Sequence, residues 1–406
     1  MGTSAQNVAI IGAGLGGLAC AIALHKQGIN VQVYEKAKDF RPVGGGLALF
    51  PNGLNFLELI EPGIVETIKN SGCCPHKIVR KNIAGEIISS SPTTQLIEKY
   101  GQAIVTIWWW HLQQILVSKL PANSIHLDRQ CIGFKQSDLA QGEAQRDRGN
   151  VEIYFEGGKT ARADLLIGAD GINSAVRKTL IGEEPPRYLN SMSWRAIIKC
   201  QQNINILNPD EIVRIVSDKQ FLFLINVGDG YLNWTTRKFA PEYHLSTNDE
   251  AMKDRILQDL TNWAEPIRNL IEITPPEKIF EFPICDRLPL GSWSKGRVTL
   301  LGDAAHPMSP SVGQGANSTF EDAWVLTQCL VRFSTIEEAF NEYEKERIER
   351  AKIMQIKSAE AEKNQWKTDD KTKPPSQPQQ RRNFDSNFTD WLHNYKPFSS
   401  ISNIWY

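Results

Sequence analysis

The sequence predicts an α/β fold in which three strand–glycine turn–helix segments surround a strand-rich insert. Apolar runs that end in glycine and lead into a helical pattern occur in residues 7–27, 163–177 and 298–330. Between the second and third of these, residues 188–283 carry successive short strands with alternating apolar residues. Alternation of strand and helix is typical of a parallel sheet covered by helices, whereas successive short strands are typical of an antiparallel sheet.

Bulk properties exclude several classes of function. The chain has 406 residues, enough for one large domain or a few interleaved ones, and its 45 basic residues balance 46 acidic ones. This balance gives no general electrostatic case for nucleic-acid binding. The seven cysteines, including adjacent Cys73 and Cys74, show no metal-ligand spacing and indicate reduced thiols. Neither a signal region nor an apolar run of roughly 20 residues is present, so we expect a cytoplasmic protein without a membrane span or a metal site.

The N-terminal segment carries a complete dinucleotide-binding fingerprint. The apolar strand Asn7–Ile11 leads directly into Gly12, Gly14 and Gly17, and the second strand ends in Glu35. Gly12 permits the tight turn, Gly14 lets a pyrophosphate approach the backbone, and Gly17 lets helix and strand pack closely. Glu35 can accept hydrogen bonds from ribose hydroxyls. The fingerprint predicts a dinucleotide site but does not choose between NAD and FAD.

The third segment suits a flavin. Its apolar run ends at Asp303, a Pro- and Gly-rich loop follows, and residues 317–330 have a helical pattern. A carboxylate only accepts hydrogen bonds and therefore suits a polyhydroxyl ribityl chain. The free amides of Gly313–Gly315, close to a helix N-terminus, favour an electron-rich ring or an anion. Taken alone, the stretch would equally fit a helix-capping Asp beside an ordinary loop.

Three further stretches leave alternatives open. The glycines Gly44–Gly46 indicate either backbone close to a ligand or a flexible hairpin. Trp108–Trp110 cannot all face one side of a helix, so at least one indole lies in a loop, at a domain junction or over a ligand. On spacing alone, Asp170, Ser174 and Arg177 predict a helix-capping turn.

Phe221, Phe223 and Trp234, on strands of the insert, are candidate walls of an apolar substrate pocket, although each could instead pack the sheet against a helix. Residues 248–270 form an amphipathic helical region. The opposite charges of Tyr343–Arg350, within a predicted helix over residues 334–362, predict a solvated face.

Together the motifs resemble those of the single-component FAD-dependent aromatic hydroxylases, a family that includes salicylate and urate hydroxylases and zeaxanthin epoxidase. The resemblance covers nearly the whole chain, including a tail with Trp391-Leu and Tyr395. The motifs occur in the family's order: Gly12-x-Gly14-x-x-Gly17, then Gly168-Ala-Asp170-Gly171, then Gly302-Asp303 with Pro310 and Gly313-Gln314-Gly315. The resemblance implies the flavoprotein hydroxylase fold, in which a Rossmann-like FAD-binding domain is interleaved with a mixed-sheet substrate domain.

The implied division of the chain has four parts. We expect the FAD-binding domain in residues 1–72, 100–180 and 284–366, the substrate domain in 73–99 and 181–283, a linker in 367–383 and an aromatic tail in 384–406. The tail either docks on the body or contacts a partner or membrane surface, and docking is favoured.

The resemblance also implies roles for individual residues. Gly12, Gly14 and Gly17 would hold the pyrophosphate, and Glu35 would bind the adenosine ribose with Lys36 beside it. The backbone of Cys131 would contact the adenine. Asp170 would help to bind FAD and NAD(P)H, and Asp303 would bind the ribityl chain. Pro310 and the amides of Gly313, Gln314, Gly315 and Ala316 would lie along the isoalloxazine, with Gly46 and Trp109 also near the cofactor. Trp109 stands where the family has Arg in Arg-x-x-Leu, which removes a charge-assisted contact worth roughly 1.5–3 kcal/mol unless another residue supplies it.

The implied reaction is a monooxygenation. NADPH or NADH reduces FAD, O₂ adds at the flavin C4a, and the hydroperoxide transfers one oxygen atom to an aromatic or polyene substrate. Arg195 and Pro310 are the candidate catalytic residues, although Arg195 could simply pair with an acid. His306 is expected to be structural.

Rival functions share parts of this pattern. A second dinucleotide fingerprint is missing, which argues against disulfide-reductase-type flavoenzymes, and the Trp-x-Trp-x-Ile-Pro motif of tryptophan halogenases is also missing. A flavin-dependent reductase of isoprenoid double bonds and a non-catalytic flavin-binding module remain as alternatives.

Overall fold

A computed structural model describes residues 7–137, 151–199, 207–366 and 386–399. The predicted linker and both ends of the predicted tail lie outside the described residues. The described helices are α1 (Leu15–Lys26), α2 (Pro51–Ile60), α3 (Ile64–Ser71), α4 (Gln95–Tyr100), α5 (Trp109–Val117), α6 (Ala175–Ile181), α7 (Asp249–Asp259), α8 (Glu265–Glu272), α9 (Gly315–Arg332), α10 (Ile336–Asn364) and α11 (Ser386–His393).

The strands of the described residues fall into four sheets. They are β1 (Asn7–Ile11), β2 (Asn30–Tyr34), β3 (Gly46–Leu49), β4 (Lys77–Lys81), β5 (Ile87–Pro92), β6 (Val105–Trp108), β7 (Ile125–His126), β8 (Cys131–Gln136), β9 (Val151–Phe155), β10 (Thr160–Ala163), β11 (Leu165–Gly168), β12 (Arg187–Lys199), β13 (Glu211–Val216), β14 (Gln220–Asn226), β15 (Tyr231–Phe239), β16 (Phe280–Asp286), β17 (Ser294–Lys295) and β18 (Val298–Leu300). The orders are β17-β18-β11-β1-β2-β7, β10-β9-β8, β16-β12-β15-β14-β13-β4-β5 and β3-β6.

The six-stranded sheet brings the three glycine-containing segments together. Its strands β18, β11, β1, β2 and β7 are parallel, and only β17 at the edge is antiparallel. Ile11 pairs with Gly168, and Gly168 pairs with Leu300, so β1, β11 and β18 end side by side. The loops that follow therefore meet at one edge of the sheet. Helices α1 and α9 contact each other over this sheet, and the apolar residues of β1, β11 and β18 are buried between layers.

The seven-stranded sheet is antiparallel except where β13 pairs with β4 in parallel. One of its faces packs against α7 and α8, where Trp194 and Trp234 form a buried core with Ile256 and Leu270. The architecture is the mixed α/β fold that the sequence predicts.

Helix α10 departs from expectation. Arg347 and Arg350 are buried rather than solvated, with 0% and 6% of their surface exposed. The nitrogens of Arg347 lie 2.5 Å from a carboxylate oxygen of Glu321 and 2.7 Å from one of Asp322, and Arg350 also pairs with Glu321. The predicted solvated face is therefore wrong for Arg347 and Arg350, because the partner carboxylates lie on α9 and cannot be identified from spacing within α10. Lys345 and Glu349 of the same stretch are exposed as expected.

The described part of the tail docks on the body, as favoured from the sequence. Leu392 is buried, and Arg350 donates hydrogen bonds to the carbonyls of Trp391 (3.1 Å) and Leu392 (2.7 Å). The Tyr395 ring lies 4.1 Å from the Arg350 guanidinium. Among the described helices, none is both long and apolar enough to cross a bilayer.

Candidate active site

A cavity of about 2290 Å³ lies between the edge of the six-stranded sheet and the open face of the seven-stranded sheet. Pockets for single small ligands usually measure roughly 300–1,000 Å³. The cavity is therefore large enough for a dinucleotide cofactor together with a second, smaller molecule.

The first glycine loop forms one end of this cavity. Gly12 has φ +105°, and a Cβ there would lie 2.4 Å from the carbonyl oxygen of Ala169. A Cβ at Gly17 would lie 2.0 Å from the carbonyl oxygen of Gly12, so Gly17 permits close packing and does not border the cavity. By contrast, a Cβ at Gly14 would meet no atom within 4 Å, and Gly14 borders the cavity. The open backbone at Gly14 fits an approaching pyrophosphate.

Glu35 lies beside this loop, and its carboxylate can accept further hydrogen bonds. Its two carboxylate oxygens accept hydrogen bonds from the backbone N–H groups of Ala13 (2.8 Å) and Ala37 (2.9 Å). Each oxygen keeps a further lone pair for a ribose hydroxyl. Lys36 and Cys131 also border the cavity, and burial raises the pKa of the Cys131 thiol to about 11, which keeps the thiol neutral.

The second segment forms the capping turn that its spacing predicts. The Ser174 hydroxyl accepts from the backbone N–H of Arg177 (2.8 Å) and donates to Asp170. Asp170 also accepts from the backbone N–H of Ala175 (2.7 Å), and burial raises the pKa of its carboxyl group. Asp170 borders the cavity, so this capping residue also faces the place where a cofactor would lie.

Asp303 lies at the tip of the third segment and borders the cavity. The Asp303 side chain is exposed to the cavity, desolvation by the surrounding protein raises the pKa of its carboxyl group, and no donor among the described residues forms a hydrogen bond with it. An acceptor of this kind fits the hydroxyls of a ribityl chain. Arg177 fixes the turn by donating to the carbonyls of Ala304 (3.2 Å) and Ala305 (3.1 Å).

His306, next in this turn, is buried, and its Nε2 lies 2.6 Å from the Asp322 carboxylate. Although burial opposes ionisation of Asp322, His306 and Arg347 hold the pKa of this carboxyl group at about 2. His306 does not border the cavity and has the structural role expected of it.

The loop after this turn presents its backbone to the cavity. Pro310, Gly313, Gly315 and Ala316 border the cavity, whereas the Gln314 side chain is buried and accepts from Asn52 (2.9 Å). Gln314 can therefore contribute only its backbone. The Asn317 side chain holds the loop in place by donating to the carbonyl of Gly313 (2.8 Å) and accepting from the backbone N–H of Phe50 (2.9 Å).

A buried carboxylate supports the same loop from behind. Glu362 accepts hydrogen bonds from Ser309 (2.8 Å), Arg237 (2.7 Å) and Ser311. Burial opposes ionisation of Glu362, but Arg237 and the two serines outweigh it and lower the pKa of the carboxyl group. Arg237 belongs to β15, so this contact connects the loop to the seven-stranded sheet.

Strand register decides which side chains of that sheet face the cavity. Directly opposed residues on paired strands point to the same face. Phe223 pairs with Thr235, which in turn pairs with Arg195, and Phe221 pairs with Arg237; all five border the cavity.

Trp234 is offset from these residues by one position and faces the other way. It pairs with Leu224, is fully buried, and donates its indole N–H to Thr274 (3.0 Å). The expectation that Trp234 lines the substrate pocket is corrected accordingly: it packs the sheet against α7 and α8.

Arg195 is a cation on this face that has no carboxylate partner among the described residues, unlike Arg237. Its guanidinium lies 4.7 Å from the Phe282 ring, and burial lowers its pKa. Its Nε is buried without a hydrogen-bond partner, and no carboxylate within the described ranges pairs with it. The alternative that Arg195 pairs with an acid is not realised in the described structure.

The chain was then compared with known proteins. The family model described as "FAD binding domain" matches residues 5–357. The chain belongs to this family.

Among curated relatives, the aurachin C monooxygenase/isomerase of Stigmatella aurantiaca is 32% identical over 85% of each chain. The 6-hydroxynicotinate 3-monooxygenase of Pseudomonas fluorescens is 32% identical over 87% of this chain and 90% of the relative. The crystal structure of Klebsiella pneumoniae HpxO with FAD and uric acid has a TM-score of 0.81 at 24% identity and covers 96% of this chain and 93% of the other, which shows the fold. The protein is an FAD-dependent monooxygenase, and NAD(P)H is the reductant general to its family.

The three glycine segments fit FAD, as does Asp303, which accepts no hydrogen bond from the described residues.

Trp109, the departure from the family pattern, borders the cavity and packs tightly against the segment Gly44–Gly46. A Cβ at Gly44 would lie 2.8 Å from the Trp109 Cβ. Similarly, a Cβ at Gly45 would lie 2.9 Å from Arg195 Cδ, and the Gly46 N–H donates to Asn233 (2.8 Å). Gly44 and Gly45 thus leave room for neighbouring side chains. This requirement for glycine differs from both sequence interpretations, which were a close approach of the backbone to a ligand and a flexible hairpin.

Several supporting residues escaped the sequence analysis. Gln113 donates to the carbonyl of Ala13 in the first glycine loop (2.8 Å), one helical turn after Trp109. The sequence places Arg177 in a capping turn but does not indicate its contact with the turn after Asp303. Nothing in the sequence pattern indicates a role for Asn317 or Glu362. These residues act on loops distant in sequence, so no local pattern reveals them.

Proposed function

We propose that the protein hydroxylates a small aromatic or heteroaromatic compound carrying an anionic or hydrogen-bond-accepting oxygen, and that Arg195 binds this oxygen. The supporting observation is the enclosed Arg195 guanidinium, which faces the cavity without a carboxylate partner in the described residues. A buried charge is strongly destabilising unless it is paired, so a substrate anion would satisfy it. The relative that acts on 6-hydroxynicotinate supports the substrate class.

We further propose that FAD occupies the rest of the cavity. The glycine loop and Glu35 would hold its dinucleotide part, Asp303 its ribityl chain, and Pro310 with the following amides its ring system. Bound FAD supplies the oxygen-transfer chemistry, with NADH or NADPH as the source of electrons.

The protein's own task is positioning. Phe221 and Phe223 on the cavity face of the sheet would exclude water, while Arg195 orients the substrate and Pro310 lines the reacting side. Trp109 would pack on the cofactor in place of the family Arg. Arg41 and Arg129 also border the cavity and would supply positive charge near the cofactor. This proposal includes the predicted division into FAD-binding and substrate domains. The cytoplasmic location stays a prediction.

An Arg195→Ala substitution tests the proposal. We expect KM for the preferred compound among 6-hydroxynicotinate, urate, salicylate and zeaxanthin to rise about 10- to 100-fold, because a charge-assisted contact worth roughly 1.5–3 kcal/mol is lost. Arg195→Lys should recover part of the loss. The measurement is substrate-dependent NAD(P)H oxidation with product analysis.

Arg162→Ala is the matched control, since the Arg162 side chain is 73% exposed and does not border the cavity. An unchanged KM in Arg195→Ala would overturn the assignment. Preference for zeaxanthin over every small aromatic would overturn the substrate class.

A further inference from the structure

Trp366, the second residue after α10, borders one end of the cavity. The Trp366 backbone N–H donates to the carbonyl of Lys363 (3.4 Å), which continues the helical turn, and its half-buried ring borders the cavity. The Trp366 and Phe221 rings are stacked, with centroids 5.9 Å apart and planes 18° apart. Two flat aromatic surfaces therefore form an end wall beside the proposed substrate position.

Charged side chains pack against this wall. The Arg214 and Arg237 guanidiniums lie 4.1 Å and 5.3 Å from the Phe221 ring centroid, within the range of cation–π attraction. Arg237 is anchored by the Glu362 carboxylate, which lies one helical turn before Trp366. The same carboxylate binds Ser311 of the loop that follows Asp303. The position of the wall is thus fixed relative to the cofactor loop.

The Trp366 indole carries an unused donor. Its Nε1 is buried, and no acceptor within the described residues binds it. Buried indole N–H groups usually find a partner. A hydrogen-bond acceptor on a bound molecule would provide one once the half-buried Trp366 side chain turns its Nε1 towards the cavity, because this atom is not open to the cavity in the unliganded structure.

We propose that Trp366 is a specificity-determining residue of the monooxygenase. Its ring, together with Phe221, limits the length of the substrate and stacks against a flat aromatic part. Its indole N–H donates to an acceptor on that part, such as a carbonyl, a phenolate or a ring nitrogen. This inference rests on the proposed function, in which Arg195 binds the oxygen of the same substrate.

Two substitutions separate the ring from its donor. Trp366→Phe keeps an aromatic wall without the N–H, whereas Trp366→Leu removes the aromatic surface and shortens the wall. The matched control is Trp324→Phe, because Trp324 lies on α9 outside this cavity and packs on Phe56. Dissociation constants for 6-hydroxynicotinate, urate and 2-hydroxyquinoline are measured on the FAD-loaded full chain, along with FAD content, kcat and KM.

We expect Trp366→Phe to weaken the preferred compound about tenfold, the effect of one lost hydrogen bond, with kcat and FAD content little changed. Trp366→Leu should shift the preference at least tenfold from the one-ring compound towards 2-hydroxyquinoline. An unchanged affinity ratio in Trp366→Leu, or equal losses for all three compounds, overturns the proposal. If wild type binds the compounds and Arg195→Ala binds them equally well, only the proposed function fails; if wild type binds none of them, both fail.

Discussion

The two sides of the cavity are built by different means. On the edge of the six-stranded sheet, glycine loops and helix N-termini present backbone groups, together with the carboxylates of Glu35, Asp170 and Asp303. On the face of the seven-stranded sheet, side chains such as Arg195 and Phe223 form the surface. A cofactor common to a whole family suits backbone recognition, since the backbone changes little with sequence. Substrate recognition suits side chains, because each can be exchanged separately.

The largest predicted effect concerns what supports the cofactor side. Arg347→Ala removes the cation that Glu321 and Asp322 share and leaves these buried carboxylates only Arg350 and His306, so we expect a loss of about 3–5 kcal/mol in the free energy of unfolding. Denaturant unfolding followed by circular dichroism measures it. Lys345→Ala, which removes an exposed i,i+3 pair with Glu342 on the same helix, is the control and should change nothing measurable. Equal stability of the two variants would contradict the buried network.

The same network predicts a pH dependence. The folded-state pKa of Asp322, about 2, lies below the roughly 3.9 of an unfolded aspartate. Its stabilising contribution is therefore present above about pH 4 and is lost as the pH falls towards 2. Acid titration of the free energy of unfolding should show this loss in wild type, and the loss should shrink in Arg347→Ala.

Asp303 is the side chain on which the cofactor side depends most. Asp303→Asn should weaken FAD about 10- to 100-fold, because a carboxylate that accepts from hydroxyls is replaced by an amide with a donor. Binding requires the ionised carboxylate, and its pKa is raised without FAD. Wild-type FAD affinity should therefore fall as the pH drops through that raised pKa, and the Asn variant should lack this dependence.

Fluorescence titration of apoprotein with FAD between pH 4 and 8 provides the measurement. Asp254→Asn, on the exposed surface of α7, is the control. A variant with wild-type affinity at all pH values would remove Asp303 from the cofactor site.

Substitutions on the two opposite faces of the seven-stranded sheet test which face binds the substrate. Trp234→Phe loses the hydrogen bond to Thr274 in the core and should cost about 1–2 kcal/mol of stability without changing KM. Phe223→Leu, on the cavity face, should raise KM with a smaller effect on stability. Thermal unfolding and steady-state kinetics of both variants check this. If Trp234→Phe alone raised KM, the face assignment from strand register would be wrong.

The smallest effect is expected at Cys131. The family resemblance assigns only its backbone to adenine, so Cys131→Ala should change the FAD dissociation constant by less than about threefold. The FAD titration that tests Asp303 measures it. A larger loss would show that the cofactor side uses side chains as much as the substrate side does.

These contrasts explain what the sequence could predict. Gly12, Gly17 and Asp303 are local requirements of a turn or a strand end, so their positions could be predicted from spacing. The alternation of β14 and β15 predicted strands, but it could not say which face meets the cavity, and Trp234 was consequently misplaced. Arg347 and Arg350 look like surface charges because their partners lie more than 20 residues away on another helix. No sequence pattern predicts a role for Trp366, because it contacts Phe221 only in the folded chain.

Oxygen incorporation tests the central claim most directly. The FAD-loaded protein would be incubated with NADPH or NADH, the best-bound aromatic compound and ¹⁸O₂, and the product examined by mass spectrometry. A monooxygenase predicts one ¹⁸O atom in each product molecule and one NAD(P)H oxidised per turnover when coupling is complete. A product that gains hydrogen without ¹⁸O, or that takes its oxygen from water, would contradict the account.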